Sequence, residues 1–271
     1  MISIRSPGRE GEHLNVKIKA LAFVLMAVLL LCGCGQKSET AAATPAQAVT
    51  ASAAQSSTAR PVSTGVTPEQ FGAKGDGIAD DLRALQAAMQ QASASGRPLE
   101  LTAGAVYRFS SCLGLPSGLT IRGNGAVLLS DIQYPDLRED RVAVELMKDS
   151  DDDRAHDVRL ENVTFRAADS CQANYMLRVM LARNVEFVGC TFDCEPNEWG
   201  RCAADLYGGN ENIRFEGCVF RQMTSGASGG IWVRNWTDRV ESRNIRFQNC
   251  EFYKSGADEL LAVWGWGGAV R

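Results

Sequence analysis

Two adjacent carboxylates, Asp258 and Glu259, stand directly before an alternating apolar segment, Leu260-Leu-Ala-Val-Trp264, near the end of this 271-residue chain. Hydrolysis of a glycosidic bond needs one protonated and one ionised carboxyl group on the same groove. Asp258 and Glu259 supply that pair and are the catalytic candidates. A second set has side chains suited to holding a sugar. Tyr207, Trp232 and Trp264 offer rings for stacking, and Arg178, Arg234 and Asp205 can meet carboxylates or hydroxyls. Elimination chemistry would use a cation differently, neutralising a uronate carboxylate while a base takes the adjacent ring proton. Arg178 and Arg234 fit the first role, and nothing marks either as the base. His156 lies far upstream of the acidic pair. The run Asp149-Ser-Asp-Asp-Asp153 lacks the glycine and terminal glutamate of an EF-hand loop, so it reads as a solvated connector and no metal site is assigned. Ca2+ enters only as the candidate cation of a lyase, and no other cofactor is implied.

Those residues must be positioned by repeated short strands. Asn162-Val-Thr-Phe165, Asn184-Val-Glu-Phe-Val-Gly-Cys-Thr-Phe192, Asn212-Ile-Arg-Phe-Glu-Gly-Cys-Val-Phe220 and Asn244-Ile-Arg-Phe-Gln-Asn-Cys-Glu-Phe252 share one pattern. Alternation puts Val185 and Phe187 on one face, and a bend at Val188-Gly189 returns Cys190 and Phe192 to the same inner side. Such a unit cannot bury its own apolar face, so copies must stack, each strand parallel to its counterpart in the next coil. The expected ladders are Val185, Ile213 and Ile245; Phe165, Phe187, Phe215 and Phe247; Cys190, Cys218 and Cys250; and Phe192, Phe220 and Phe252. Asn before each strand suits a turn, because it tolerates the left-handed region. Unequal spacing sends extra residues out as loops, chiefly at 194–202 and 236–243.

The solenoid opens with Phe71-Gly-Ala-Lys-Gly-Asp-Gly-Ile-Ala-Asp-Asp81, a tight glycine-punctuated loop running into a helix capped by Asp80 or Asp81. Leu82, Leu85, Met89 and Ala92 recur at helical spacing on one face. Further short strands flank Gly104 and the Gly123-Asn-Gly125 turn. This opening closely resembles that of the pectate-lyase-like, rhamnogalacturonase-like superfamily of single-stranded right-handed parallel β-helices. The resemblance implies an all-β, right-handed parallel β-helix with an N-terminal capping helix. It also implies that the third strand of each coil lines a substrate groove; by the repeat these strands are 175–181, 204–208, 230–235 and 259–265. Residues 255–265 resemble the acidic-pair strand of polygalacturonase-type members, with departures. Ala257 interrupts the glycine-acid junction, Glu259 replaces the second Asp, and the downstream His and Arg-x-Lys elements have no counterpart.

Ahead of the solenoid, Lys17 and Lys19 precede an apolar run from Ala20 to Leu31 that is short for a membrane span and reads as a secretory signal. It ends in Leu31-Cys32-Gly33-Cys34, which resembles the lipobox of bacterial lipoproteins, with Cys34 the lipid acceptor. Gly35 after it points by the same resemblance to the outer membrane or cell surface. Gln36 to Thr64 has almost no large apolar side chain and reads as a disordered Ala/Ser/Thr-rich tether. The expected domains are a signal peptide at 1–33, a tether at 34–64 and the β-helix at 65–271. Removing residues 1–33 takes Arg5, Arg9, Lys17 and Lys19 with Glu10 and Glu12, leaving 24 basic against 30 acidic residues, a formal charge of −6. That balance, with no basic stripe interleaved with aromatics, argues against a nucleic-acid partner.

Export invites disulfides, and Cys194 and Cys202 flank a loop one could close. The laddered Cys190, Cys218 and Cys250 read as buried free thiols. The apolar end at 262–271 lacks a polar cap, so either the β-helix continues or an oligomer covers it; continuation is preferred. The expectation is a membrane-anchored, extracytoplasmic β-helix that cleaves an acidic polysaccharide by lyase or hydrolase chemistry. The alternative is a non-catalytic glycan-binding or adhesion β-helix.

Overall fold

Short segments with a bulky apolar residue at every second position cannot form a stable sheet alone, and here they stack. The structure is a computed structural model and describes residues 65–133, 141–146, 153–194, 202–223, 230–235, 241–254 and 261–265. Every named strand pairing in it is parallel. Successive coils visit three sheets in turn, so strands adjacent in a sheet come from adjacent coils. The first sheet holds Leu99–Glu100, Thr120–Arg122, Ala155–Glu161, Ala182–Val188, Glu211–Glu216 and Arg243–Gln248. The second runs from Asp76–Asp80 and Val106–Phe109 through Val127–Ser130, Thr164–Ala167, Thr191–Asp193 and Val219–Met223 to Glu251–Lys254. The third holds Leu113–Gly114, Val142–Leu146, Tyr175–Met180, Cys202–Tyr207, Ile231–Asn235 and Leu261–Gly265. The result is the parallel β-solenoid expected from the repeat.

Inward residues form ladders through the core. Phe187 stacks on Phe215 at 4.7 Å between ring centroids, and Phe215 on Phe247 at 4.8 Å. Phe165, Phe192, Phe220 and Phe252 form a second column, with spacings of 4.9, 4.9 and 5.1 Å. Phe165 therefore belongs with Phe192, and Leu160 takes the place below Phe187. The reason lies at the corners. Near the start of each of the four later first-sheet strands stands a left-handed residue, Asp157, Asn184, Asn212 or Asn244, with φ of 54°, 54°, 57° and 56°. Asn162 stands instead at the second corner, with Gly189, Gly217 and Asn249. A Cβ on Gly189, at φ 61°, would lie 2.6 Å from Asn162 Oδ1, so a larger residue there would displace that side chain.

The first-corner residues bond from coil to coil. Asn244 Nδ2 donates to Asn212 Oδ1 (2.6 Å), Asn212 Nδ2 to Asn184 Oδ1 (3.1 Å) and Asn184 Nδ2 to Asp157 Oδ1 (2.9 Å). The bond from Asn184, and after it the contact with His156, hold the Asp157 carboxyl below its usual range. Cys190, Cys218 and Cys250 continue the column begun by Val163 as free thiols, their Sγ within 3.3–3.5 Å of a carbonyl in the preceding coil.

Helix Leu82–Ser95 covers the first coil, burying Leu85, Met89 and Ala92. The two candidate caps divide the work. Asp80 Oδ1 accepts from the Leu82 N–H (3.2 Å), while buried Asp81 accepts from the N–H groups of Lys74 (2.7 Å) and Gly75 (3.0 Å), fixing the loop. The expected loop before the helix is partly a strand: Asp76–Asp80 pairs with Val106–Phe109. At the far end, Leu261 and Val263 are 45% and 52% exposed, whereas their register partners Ile231 and Val233 are buried. No described strand stacks on them.

The loop-closing disulfide expected between Cys194 and Cys202 is not formed; both are buried thiols. Cys202 opens a third-sheet strand, and its Sγ is directed to the carbonyls of Ala204 (3.2 Å) and Gly230 (3.4 Å). Phe215 is fully buried between two stacked rings. Phe215→Ala should destabilise the solenoid by about 3–5 kcal/mol in chemical denaturation, whereas Glu216→Ala on the outer face should cost less than about 1 kcal/mol. The reverse order would mean the strand faces are inverted.

Candidate functional site

Alternation along the third sheet sends Leu177, Val179, Ala204, Leu206, Ile231 and Val233 into the core, where all six are buried. The residues between them face outward in register. Glu145, Arg178, Asp205 and Trp232 form one row across four successive strands, and Met180, Tyr207 and Arg234 the next. Five of the six candidate sugar-binding residues therefore meet on one outer face. Trp264 is the register partner of Arg234 on Leu261–Gly265, and its side chain lies outside the described residues, as do Asp258, Glu259 and Cys34.

The centre of the cluster is Asp205, which is completely buried. Arg178 Nε donates to its Oδ2 (3.2 Å) from the preceding strand. Arg234, from the following strand, donates through Nη2 to Oδ2 (2.7 Å) and through Nε to Oδ1 (2.8 Å), a bidentate grip. Burial opposes the Arg234 charge, but its hydrogen bonds to Asp205 and that carboxylate's charge outweigh burial and hold its pKa above the ordinary guanidinium value.

Aromatic rings flank both guanidiniums. Arg178 lies 4.8 Å from the centroid of Tyr175 and 6.0 Å from that of Tyr207. Arg234 lies 4.9 Å from Tyr207, 4.7 Å from Trp232 and 5.8 Å from Tyr175. Tyr175 and Trp232 meet edge to face at 5.8 Å. Burial pushes the Tyr175 hydroxyl above its usual pKa. The Cys112 thiol is pushed up to about 12 by burial and by Glu145, so it is no ready nucleophile.

Two of the expected sugar-binding residues are engaged within the protein. Asp205 is buried, and both its oxygens accept from guanidiniums. Trp232 carries the Arg234 guanidinium over its ring, so the aromatics first serve as a cage for the arginines. Tyr175 and Glu145 were not among the expected site residues. Tyr175 opens a strand already read as a groove strand, and its aromatic type was the available signal. Glu145 sits on Val142–Leu146, a strand without the repeat's Asn-x-x-Phe signature. His156 is on the first sheet, with Nδ1 2.9 Å from Asp157 Oδ2, away from this cluster.

The family described as "Rhamnogalacturonase A/epimerase, pectate lyase-like" matches residues 66–258. The chain belongs to this family of pectate-lyase-like β-helix proteins. Among solved structures, PfbA, a surface adhesin of Streptococcus pneumoniae, superposes with a TM-score of 0.54 at 18% identity, over 72% of this chain and 50% of that one. ORF18 of Geobacillus virus E2 superposes with a TM-score of 0.51 at 19% identity, over 70% of this chain and 42% of that one. This chain thus covers half or less of either relative's length, and the likeness is one of fold. No curated protein matches the chain.

Proposed function

We propose that this protein processes an acidic, uronate-containing polysaccharide laid across the outer face of the third sheet. The observation that carries the reading is the gathering of Arg178 and Arg234, with Tyr175, Tyr207 and Trp232, on one outer face of the solenoid. Guanidiniums held against aromatic rings give carboxylate recognition and sugar-sized apolar surface in one place. Family membership supports a glycan as the partner.

Cleavage is assigned to Asp258 and Glu259, which precede the strand Leu261–Gly265 of the same sheet. As a hydrolase, one carboxyl group protonates the leaving oxygen while the other activates water or attacks the anomeric carbon. As a lyase, a base removes the proton next to the uronate carboxylate, the glycosidic C–O bond breaks, and a C=C bond forms in the new end sugar. In that route an arginine or Ca2+ neutralises the carboxylate. A second reading, a glycan-binding or adhesion module, is favoured by the make-up of this face, whose outward groups are guanidiniums and aromatic rings, the groups of a binding surface.

Incubation with soluble uronate polymers separates the three outcomes. A lyase yields ultraviolet-absorbing unsaturated ends, a hydrolase yields new reducing ends without that absorbance, and a binder yields neither. Asp258→Asn and Glu259→Gln keep shape and remove charge. At least one should lose about 10²–10⁴-fold in turnover with an unchanged melting temperature. Full turnover in both would contradict the assignment, and retention of polymer without cleavage by the parent would establish the binding reading.

The proposal places the domain outside the cytoplasm, tethered through a lipid on Cys34, in keeping with the Leu31-Cys32-Gly33-Cys34 motif. A labelled fatty acid should enter the membrane-associated protein and be absent from Cys34→Ala. Label persisting in that variant would contradict the anchor.

A further inference from the structure

We infer that Asp205 is a positioning residue, which orients Arg178 and Arg234 as one preorganised unit that reads a sugar carboxylate. The inference rests on the proposed reading of the third sheet as a uronate-binding face. Asp205 occupies an outward position by register, yet it has no solvent exposure. Burying a carboxylate is costly unless cations and hydrogen bonds compensate, and three guanidinium bonds do so here. A group so enclosed cannot touch a sugar, so it acts through the arginines that cover it.

Its effect is on the two arginines. They rise from strands on either side of the Asp205 strand, about 10 Å apart by ordinary strand spacing, and are offset by two residues along the strand. Without an anion between them, two long, like-charged side chains would repel and spread. Asp205 draws both heads to one point, and the rings of Tyr175 and Tyr207, each within 6.0 Å of both guanidiniums, fix where they lie. A carboxylate is recognised through the plane and fork of a guanidinium, so fixing those planes sets selectivity for acid over ester or neutral sugar.

Glu145 adds a direction. It is the register partner of Arg178 on the preceding strand, and it repels a second carboxylate from that side. Arg234, against Tyr207 and Trp232, is the side a sugar carboxylate approaches.

The test measures discrimination, which a purely structural residue would not move. The parent protein, Asp205→Asn and Arg234→Lys are titrated with polygalacturonate and polymannuronate and with the methyl ester of each. Both variants should lose about ten- to hundredfold of the acid-over-ester preference, the size of a charge-assisted hydrogen-bonded contact, while affinity for the ester stays the same. A folded Asp205→Asn with the parent's preference would overturn the positioning role. Should Asp205→Asn not fold, Arg234→Lys decides, because it keeps the charge and loses the fork; an undiminished preference there overturns the proposal equally. A parent protein that does not separate acid from ester on either polymer would overturn the uronate reading itself. A parent that does separate them, with variants that do so equally well, would remove only the role of Asp205.

Discussion

Each coil of this chain can bury its inner side chains only against the coil before and the coil after it. That mutual dependence decides the register of every strand. The stacked rings of Phe187, Phe215 and Phe247 and of Phe165, Phe192, Phe220 and Phe252 hold only if strands pair residue for residue. A slip of one residue would turn both columns to solvent. The relay from Asn244 to Asp157 reinforces that register from outside the core, because each amide reaches only the corner residue of the neighbouring coil. Repetition also keeps every pairing to one span: in each sheet, neighbouring strands are one coil apart in sequence.

With the inner positions committed, the outer rows are free to differ, and they do. On the first sheet Arg159 lies among Glu161 and Glu186, and Arg214 among Glu186 and Glu216. These pairs are partly exposed, so they contribute solubility more than stability. Around Asp205 two guanidiniums close on one carboxylate, with Glu145 in register beside Arg178, and the Arg178–Asp205–Arg234 group is buried or nearly so. Charges withdrawn from water and packed among three aromatic rings cost free energy that a surface pair does not. This asymmetry between two faces of one solenoid is the physical ground for placing the glycan on the third sheet.

Much of this could be read from the sequence because the solenoid repeats its signals. Phe215, Cys218 and Phe220 occupy the positions that alternation assigns, and Leu85, Met89 and Ala92 pack inward from the helix as their spacing demands. The sequence repeat places Phe165 under Phe187, whereas it stacks on Phe192, because Asn162 resembles the first-corner asparagines. Asp157 holds that left-handed position instead, and its side chain accepts the Asn184 amide just as an asparagine would. Asp76–Asp80 is a glycine-containing strand at a sheet edge with no alternating apolar signal, so its pairing with Val106–Phe109 depends on tertiary context. The burial of Asp205 was equally hidden. Single-residue type gives a charge and a face, but the closure of Arg178 and Arg234 over that carboxylate depends on three strands at once.

The most direct test of the account is a crystal structure of the protein soaked with a uronate oligosaccharide long enough to span several coils. The account predicts an oligosaccharide lying across the outer face of the third sheet, with a sugar carboxylate within hydrogen-bond distance, about 3 Å, of Arg234 or Arg178. It also predicts that Asp205 remains beneath, bonded to both arginines. An oligosaccharide seated on the first or second sheet, with the Arg178–Asp205–Arg234 cluster untouched, would contradict it.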